Sequence, residues 1–169
     1  MPSETRRATT DAIDVATSLN EQEETMIRKS TAIWRGDAMR GSGALTTQSG
    51  ALHEQPYSFK TRFQSEDGRA GTNPEELLAA AHAGCYAMAL SFALGKAGHP
   101  PAELNVTASV DLEKSGEGFA ITSIALDVGA RVAAIDPAKF QTIAEAAERE
   151  CPLSKALAAT PITLSAKLL

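Results

Sequence analysis

Thr72-Asn73-Pro74-Glu75-Glu76-Leu77-Leu78-Ala79-Ala80-Ala81-His82-Ala83-Gly84-Cys85-Tyr86-Ala87-Met88-Ala89-Leu90 opens the long apolar stretch that decides how the rest of this chain is arranged. Asn73 is a helix-capping residue, Pro74 suits the first helical position, and Glu75 and Glu76 complement the positive end of the helix dipole. From Leu77 onward the pattern is apolar nearly all round, and the helix is expected to end at Gly95 or Gly98. A helix without a polar face has to be enclosed by other elements. Residues 77–94 are just numerous enough to span a bilayer. Alanine dominates them, however, and basic flanks and aromatic belts are missing, so a helix inside a soluble protein is the preferred reading.

On the N-terminal side, residues 27–35 (IRKSTAIWR) and 44–48 are strand-like, punctuated by Gly36-Asp37 and Gly41-Ser42-Gly43. Residues 57–63 form a third candidate strand, because Phe59, Thr61 and Phe63 alternate with Lys60 and Arg62. On the C-terminal side, residues 106–112 and 119–128 read as a hairpin around Ser115-Gly116-Glu117-Gly118. Asp136-Pro137 starts a helix reaching about Glu150, Cys151-Pro152 starts a short one ending before Pro161, and residues 162–167 form a last strand. The order β-β-β-α-β-β-α-α-β segregates strands from helices. That pattern is α+β with mostly antiparallel pairing.

The 169 residues make one domain the default, expected over 26–169, with an apolar share of 43% that is ordinary for a globular core. Residues 1–25 are polar and lack both periodicity and the apolar core of a signal peptide, and they are expected to form a flexible leader, with Met26 as an alternative start. A net charge of −5 argues against nucleic acid or an anionic membrane as the partner. Two cysteines do not make a disulfide scaffold, and without a secretory signal the expected compartment is the reducing cytoplasm.

Each cysteine sits where chemistry is possible. Cys85 is mid-helix in apolar surroundings, where a thiol is commonly an inert small hydrophobe whose pKa is raised by burial. Reactivity would require a neighbouring cation. Cys151 precedes a helix-starting proline, so it takes the N-cap position, where backbone N–H groups and the dipole favour a thiolate. Together, 66 residues apart, the two suit an attack-and-resolve redox pair, although this is no Cys-x-x-Cys motif and two inert sulfurs remain the alternative.

For the cation, Arg40 is the notable candidate, since its glycine-rich turn permits close approach to another element. Arg62, Arg69 and Arg131 compete with it. Glu75 suits a bidentate pair with an arginine, or simply a helix-start charge. Ten residues of straight helix put Glu75 about 15 Å from Cys85, so the carboxylate cannot touch the thiol along the helix. His82, three residues before Cys85, shares its helix face and reads as a packed histidine, a thiol activator or, least readily, a metal ligand with the two cysteines. His53 and His99 look solvated. No cofactor is called for.

Residues 71–85 (GTNPEELLAAAHAGC) resemble the central-helix motif of the OsmC/Ohr family of osmotically inducible and organic-hydroperoxide-resistance proteins. Residues 151–157 (CPLSKAL) are similar to its second cysteine motif, and Trp34-Arg-Gly-Asp37, residues 40–43, Ser49-Gly50 and residues 55–59 resemble the N-terminal hairpin of the OsmC branch. Gly84 departs from the alanine common at that position. The resemblance spans about 27–169. It implies mostly antiparallel sheets around a long buried central helix in an intertwined homodimer with active sites at the subunit interface, and a thiol peroxidase acting on organic hydroperoxides in preference to hydrogen peroxide. By motif, Cys85 matches the peroxidatic cysteine, Cys151 the resolving one, Arg40 the arginine that stabilises the thiolate and Glu75 the carboxylate that holds it. An external dithiol, of lipoyl type in the family, would reduce the resulting disulfide. Leu77, Leu78, Met88 and Phe92 are candidates to line an alkyl pocket, though they also suit ordinary core. A non-catalytic stress-induced binding dimer with inert thiols, or another small-molecule enzyme on the same scaffold, stays open on the residues alone.

Overall fold

The fold was obtained as a computed structural model that describes residues 25–65, 69 and 71–169; the leader expected over 1–25 lies, but for Thr25, outside the described residues. Ten elements follow one another: β1 (Ser30–Arg35), β2 (Ser42–Thr47), β3 (Gln55–Ser58), α1 (Phe59–Phe63), α2 (Pro74–Lys96), β4 (Pro101–Ser115), β5 (Gly118–Val132), α3 (Pro137–Glu150), α4 (Pro152–Ala156) and β6 (Ile162–Leu168). They form two three-stranded sheets, β1-β2-β3 and β4-β5-β6. The α+β class with mostly antiparallel pairing is what the sequence predicts. The exception is β6, which runs parallel to β5. The reason is connectivity: α3 and α4 intervene and carry the chain back across the sheet before it pairs.

The third expected strand is cut short. Residues 59–63 are helical, because Ser58 Oγ accepts from the Thr61 amide while Thr61 Oγ1 accepts from the Ser58 amide, a reciprocal cap. Phe59 and Phe63 then stack four residues apart, their ring centroids separated by 4.8 Å. Alternation and a single helical turn place the same two phenylalanines together, and the cap decides between them.

Helix α2 begins as expected, with Asn73 Oδ1 accepting from the Glu76 amide. It lies on β4 and β5 beside α3. His82, Tyr86, Leu90 and Leu94, each one turn from the next, form its buried stripe. They pack with Leu126, Val128 and Ala130 of β5 and with Phe140, Ala144 and Ala147 of α3. Tyr86 Oη donates to the Ala144 carbonyl at 3.1 Å, fixing α3 to α2, and burial pushes the phenol's pKa up.

The chain's own elements enclose only that stripe and leave the rest of the apolar helix uncovered. Ala80, Ala81, Gly84, Met88 and Phe92 are exposed on α2, the last two at 77% and 75%. Strand β1 is exposed along its whole length, Ile33 and Trp34 included. Helix α2 is long and apolar enough to cross a membrane, but its buried stripe is occupied by protein.

Candidate active site

Two helices bring the sulfurs together. Cys85 stands halfway along α2, half-buried, and Cys151 is fully buried where α3 ends and α4 begins. Cys151 closes α3 by donating its amide to the carbonyls of Ala147 and Glu148, and Pro152 holds it extended (φ −59°, ψ 123°) at the start of α4. That break in the backbone points the side chain inward. Both cysteines are free, and Cys151 Sγ donates to Cys85 Sγ across 3.2 Å. A disulfide requires about 2.05 Å, so roughly 1 Å of approach separates the two thiols from a bond.

The N-terminal amides of α4 do not serve Cys151, whose side chain makes no capping bond. Instead, the Leu153 backbone group hydrogen-bonds Cys85 and lowers its pKa. Burial outweighs that effect, and the neighbouring Cys151 adds to the rise, so the Cys85 thiol sits above its ordinary value within a single chain. No cation is among the influences on it from the described residues.

The guanidinium lies elsewhere. Arg62 of α1 grips Glu75 of α2 through two hydrogen bonds, Nε to Oε2 at 3.1 Å and Nη2 to Oε1 at 2.6 Å. Glu75 is free for this because the Thr72 hydroxyl holds its neighbour Glu76 at 2.7 Å. Thr61 Oγ1 donates to the Thr72 carbonyl at 3.1 Å and seats α1 against the start of α2. Arg40, the favoured candidate from the sequence, sits in an exposed turn with its amide bonded to Asp37 Oδ1 at 2.8 Å. Glu75 therefore holds Arg62, not Arg40. The Ser58-x-x-Thr61 cap signals in the sequence that Arg62 lies on a helical turn, but not that it meets Glu75. Arg131 pairs with Glu103 on the exposed face of the hairpin, at 3.4 Å.

Beside Arg62 opens a cavity of about 430 Å³ lined by Trp34, Tyr57, Phe59, Phe63 and Phe119. The Phe63 and Phe119 rings are in contact in its wall, 4.6 Å between centroids, and Arg62 stands over the Phe63 ring at 4.9 Å. Of the apolar residues expected to line a pocket, Met88 and Phe92 border a more open groove against β4. Sequence reading missed the aromatic cavity because its aromatic walls come from three stretches distant along the chain, β1, β3–α1 and β5.

His82 is fully buried and its Nε2 lies 3.0 Å from Ser154 Oγ of α4. Burial lowers its pKa, with Glu148 opposing. His99, expected in solvent, bonds Lys139 Nζ at 2.9 Å. Among the described residues, no three His, Cys, Asp or Glu side chains cluster as a metal site.

A family model described as OsmC-like protein matches residues 65–166, which contain Glu75 and both cysteines. The peroxiredoxin OsmC of Escherichia coli is 49% identical over 144 residues, covering 85% of this chain and 98% of the relative. The chain belongs to the OsmC/Ohr family. The organic hydroperoxide resistance protein OhrB of Bacillus subtilis is 30% identical over 68% of the chain and 81% of its own length. The crystal structure of OhrB superimposes with a TM-score of 0.63, covering 82% of this chain and 98% of that one. An OsmC-like protein of Vibrio cholerae, at 12% identity and a TM-score of 0.66, shares the OsmC/Ohr fold. In this OsmC/Ohr chain Glu75 and Cys85 stand ten residues apart on α2, about 15 Å of helical rise, with Arg62 of α1 holding the first and Cys151 from the α3–α4 break meeting the second.

Proposed function

We propose that this chain is a cysteine-based peroxidase that reduces organic hydroperoxides, as the names of its OsmC and Ohr relatives describe for those proteins. The observation that carries the reading is the 3.2 Å approach of two free thiols, one partly open to solvent and the other enclosed. The Cys85 thiolate attacks the distal peroxide oxygen, the O–O bond breaks, and the departing alkoxide takes a proton to leave as alcohol. Cys85 is left as a sulfenic acid. The Cys151 sulfur displaces its hydroxyl, forming the disulfide and releasing water. An external dithiol of lipoyl type then reduces the disulfide by exchange, in the cytoplasm, where thiols are kept reduced.

The active unit is a homodimer. Helix α2 carries Cys85 and Glu75 ten residues apart, and the residues midway between them, Ala80 and Ala81, are exposed and small, as is Gly84. Two such helices packed antiparallel about a two-fold axis near Ala80 set the Arg62–Glu75 pair of one chain beside Cys85 of the other. They also cover the exposed Met88 and Phe92. In that arrangement the guanidinium offsets the burial that raises the Cys85 pKa, and the aromatic cavity next to Arg62 receives the organic part of the substrate.

Stopped-flow consumption of cumene hydroperoxide with a dithiol tests the chemistry. Cys85→Ser is expected to abolish turnover and Cys151→Ser to leave one turnover per chain. Full turnover by Cys85→Ser would end the proposal. The raised Cys85 pKa of the single chain favours a second reading, a binding dimer with inert thiols. Iodoacetamide labelling separates the two: fast reaction of Cys85 at neutral pH belongs to the peroxidase, and slow reaction to the inert dimer.

A further inference from the structure

Helix α4 meets α2 at two points, one helical turn apart. Cys151 addresses Cys85, and Ser154, three residues further on, addresses His82, three residues before Cys85. Both members of the second contact are buried, at 0% and 4% exposure. Nδ1 of His82 finds no partner among the described residues. Were the Ser154 hydroxyl the donor, the proton on a neutral imidazole would sit on Nδ1 as a buried N–H without an acceptor. That costs more than a bare lone pair. His82 is therefore the Nε2–H tautomer and donates to Ser154 Oγ.

The sulfur contact cannot hold α4 in place through a catalytic cycle. It has to open when Cys85 gains an oxygen and close by about 1 Å when the disulfide forms. The hydrogen bond involves neither sulfur. We propose that the His82–Ser154 bond is a positioning latch that keeps α4 registered on α2 while Cys85 is a sulfenic acid, so that Cys151 resolves it before a second peroxide arrives. This rests on the peroxidase reading above. The competing reaction is defined: the sulfenate attacks a second hydroperoxide, which releases alcohol and leaves a sulfinic acid. The ratio of disulfide to sulfinate therefore measures how well Cys151 is placed.

The experiment treats the full-length, reduced protein with excess cumene hydroperoxide and reads disulfide and sulfinate by intact mass. Ser154→Ala and His82→Asn, whose amide is too short to reach Ser154, are expected to shift the ratio toward sulfinate at least tenfold. His82→Gln, which places an N–H near Nε2, is expected to restore it to within threefold of wild type. In a Cys151→Ser background, single-turnover oxidation of Cys85 is expected to change less than threefold with Ser154→Ala. An unchanged ratio in Ser154→Ala overturns the latch, as does a His82→Gln protein as prone to sulfinate as His82→Asn. Failure of wild-type Cys85 to oxidise at all is a different result and removes the peroxidase reading itself.

Discussion

Arg62 and Glu75 are locked in a two-bonded ion pair at the start of α2, ten residues from the thiol whose charge a peroxidase must stabilise. The carboxylate is nearly enclosed, with 12% of its side chain exposed, while Arg62 keeps 35%. The pair thus holds the guanidinium fixed while leaving it partly open to solvent.

Arg62→Ala is expected to lower kcat/KM for cumene hydroperoxide by about 10²-fold or more, the usual scale for losing a preorganised charge at a reacting centre. Arg40→Ala should stay within about threefold of wild type. Glu75→Gln keeps one bond to Arg62 and should fall between them. Stopped-flow oxidation of Cys85 checks the order, and an Arg40→Ala loss as large as that of Arg62→Ala would return the role to the turn.

Met88→Asp and Phe92→Asp place a charge on the uncovered stripe of α2 without entering the core. Sedimentation velocity is expected to show monomers for either, with Cys85 alkylation at pH 7 slowed at least tenfold, because burial then acts on the thiol unopposed. A monomeric wild-type protein with full activity would contradict the shared site.

The pH dependence of stability follows from two buried groups. Burial holds the His82 pKa below its ordinary value of 6.5, so its contribution is present above that value and is lost as pH falls through the lowered pKa. Tyr86 is shifted upward, so its contribution is complete below about pH 10 and declines as pH rises beyond it. Thermal melts from pH 4 to 11 should therefore fall at both ends. His82→Gln is expected to flatten the acid limb, and Tyr86→Phe the alkaline one, the latter at a cost of about 1–3 kcal/mol for the orphaned Ala144 carbonyl.

Thr61→Val removes one hydroxyl that bonds both the Ser58 amide and the Thr72 carbonyl. Loss of the cap should cost about 1–2 kcal/mol in urea unfolding. It should also lower peroxide reactivity severalfold, since α1 then no longer holds Arg62 on Glu75. A variant with unchanged stability and rate would show that the cap is not what sets the arginine.

The elements that local chemistry controls were readable in the chain itself. Asn73-Pro74 and Asp136-Pro137 start α2 and α3 where caps and prolines predict, Gly116, at φ +60°, turns the β4–β5 hairpin, and Pro152 fixes Cys151 at the break between two helices. Residues 57–63 misled because Phe59 and Phe63, four apart, share a face in a strand and in a helical turn alike. Hydroxyl bonds between Ser58 and Thr61 settle the choice, and periodicity does not register them.

Residue types and spacings determined that this chain has a long apolar helix, two thiols in contrasting settings and a paired carboxylate, because capping, dipole and backbone preferences act within a few residues. Tertiary structure alone decided that Cys151 reaches Cys85, that Glu75 takes Arg62 over Arg40, that His82 meets Ser154, and that one face of α2 stays open. Those are contacts between segments distant along the chain, and they depend on which surfaces the sheets and helices bury against each other.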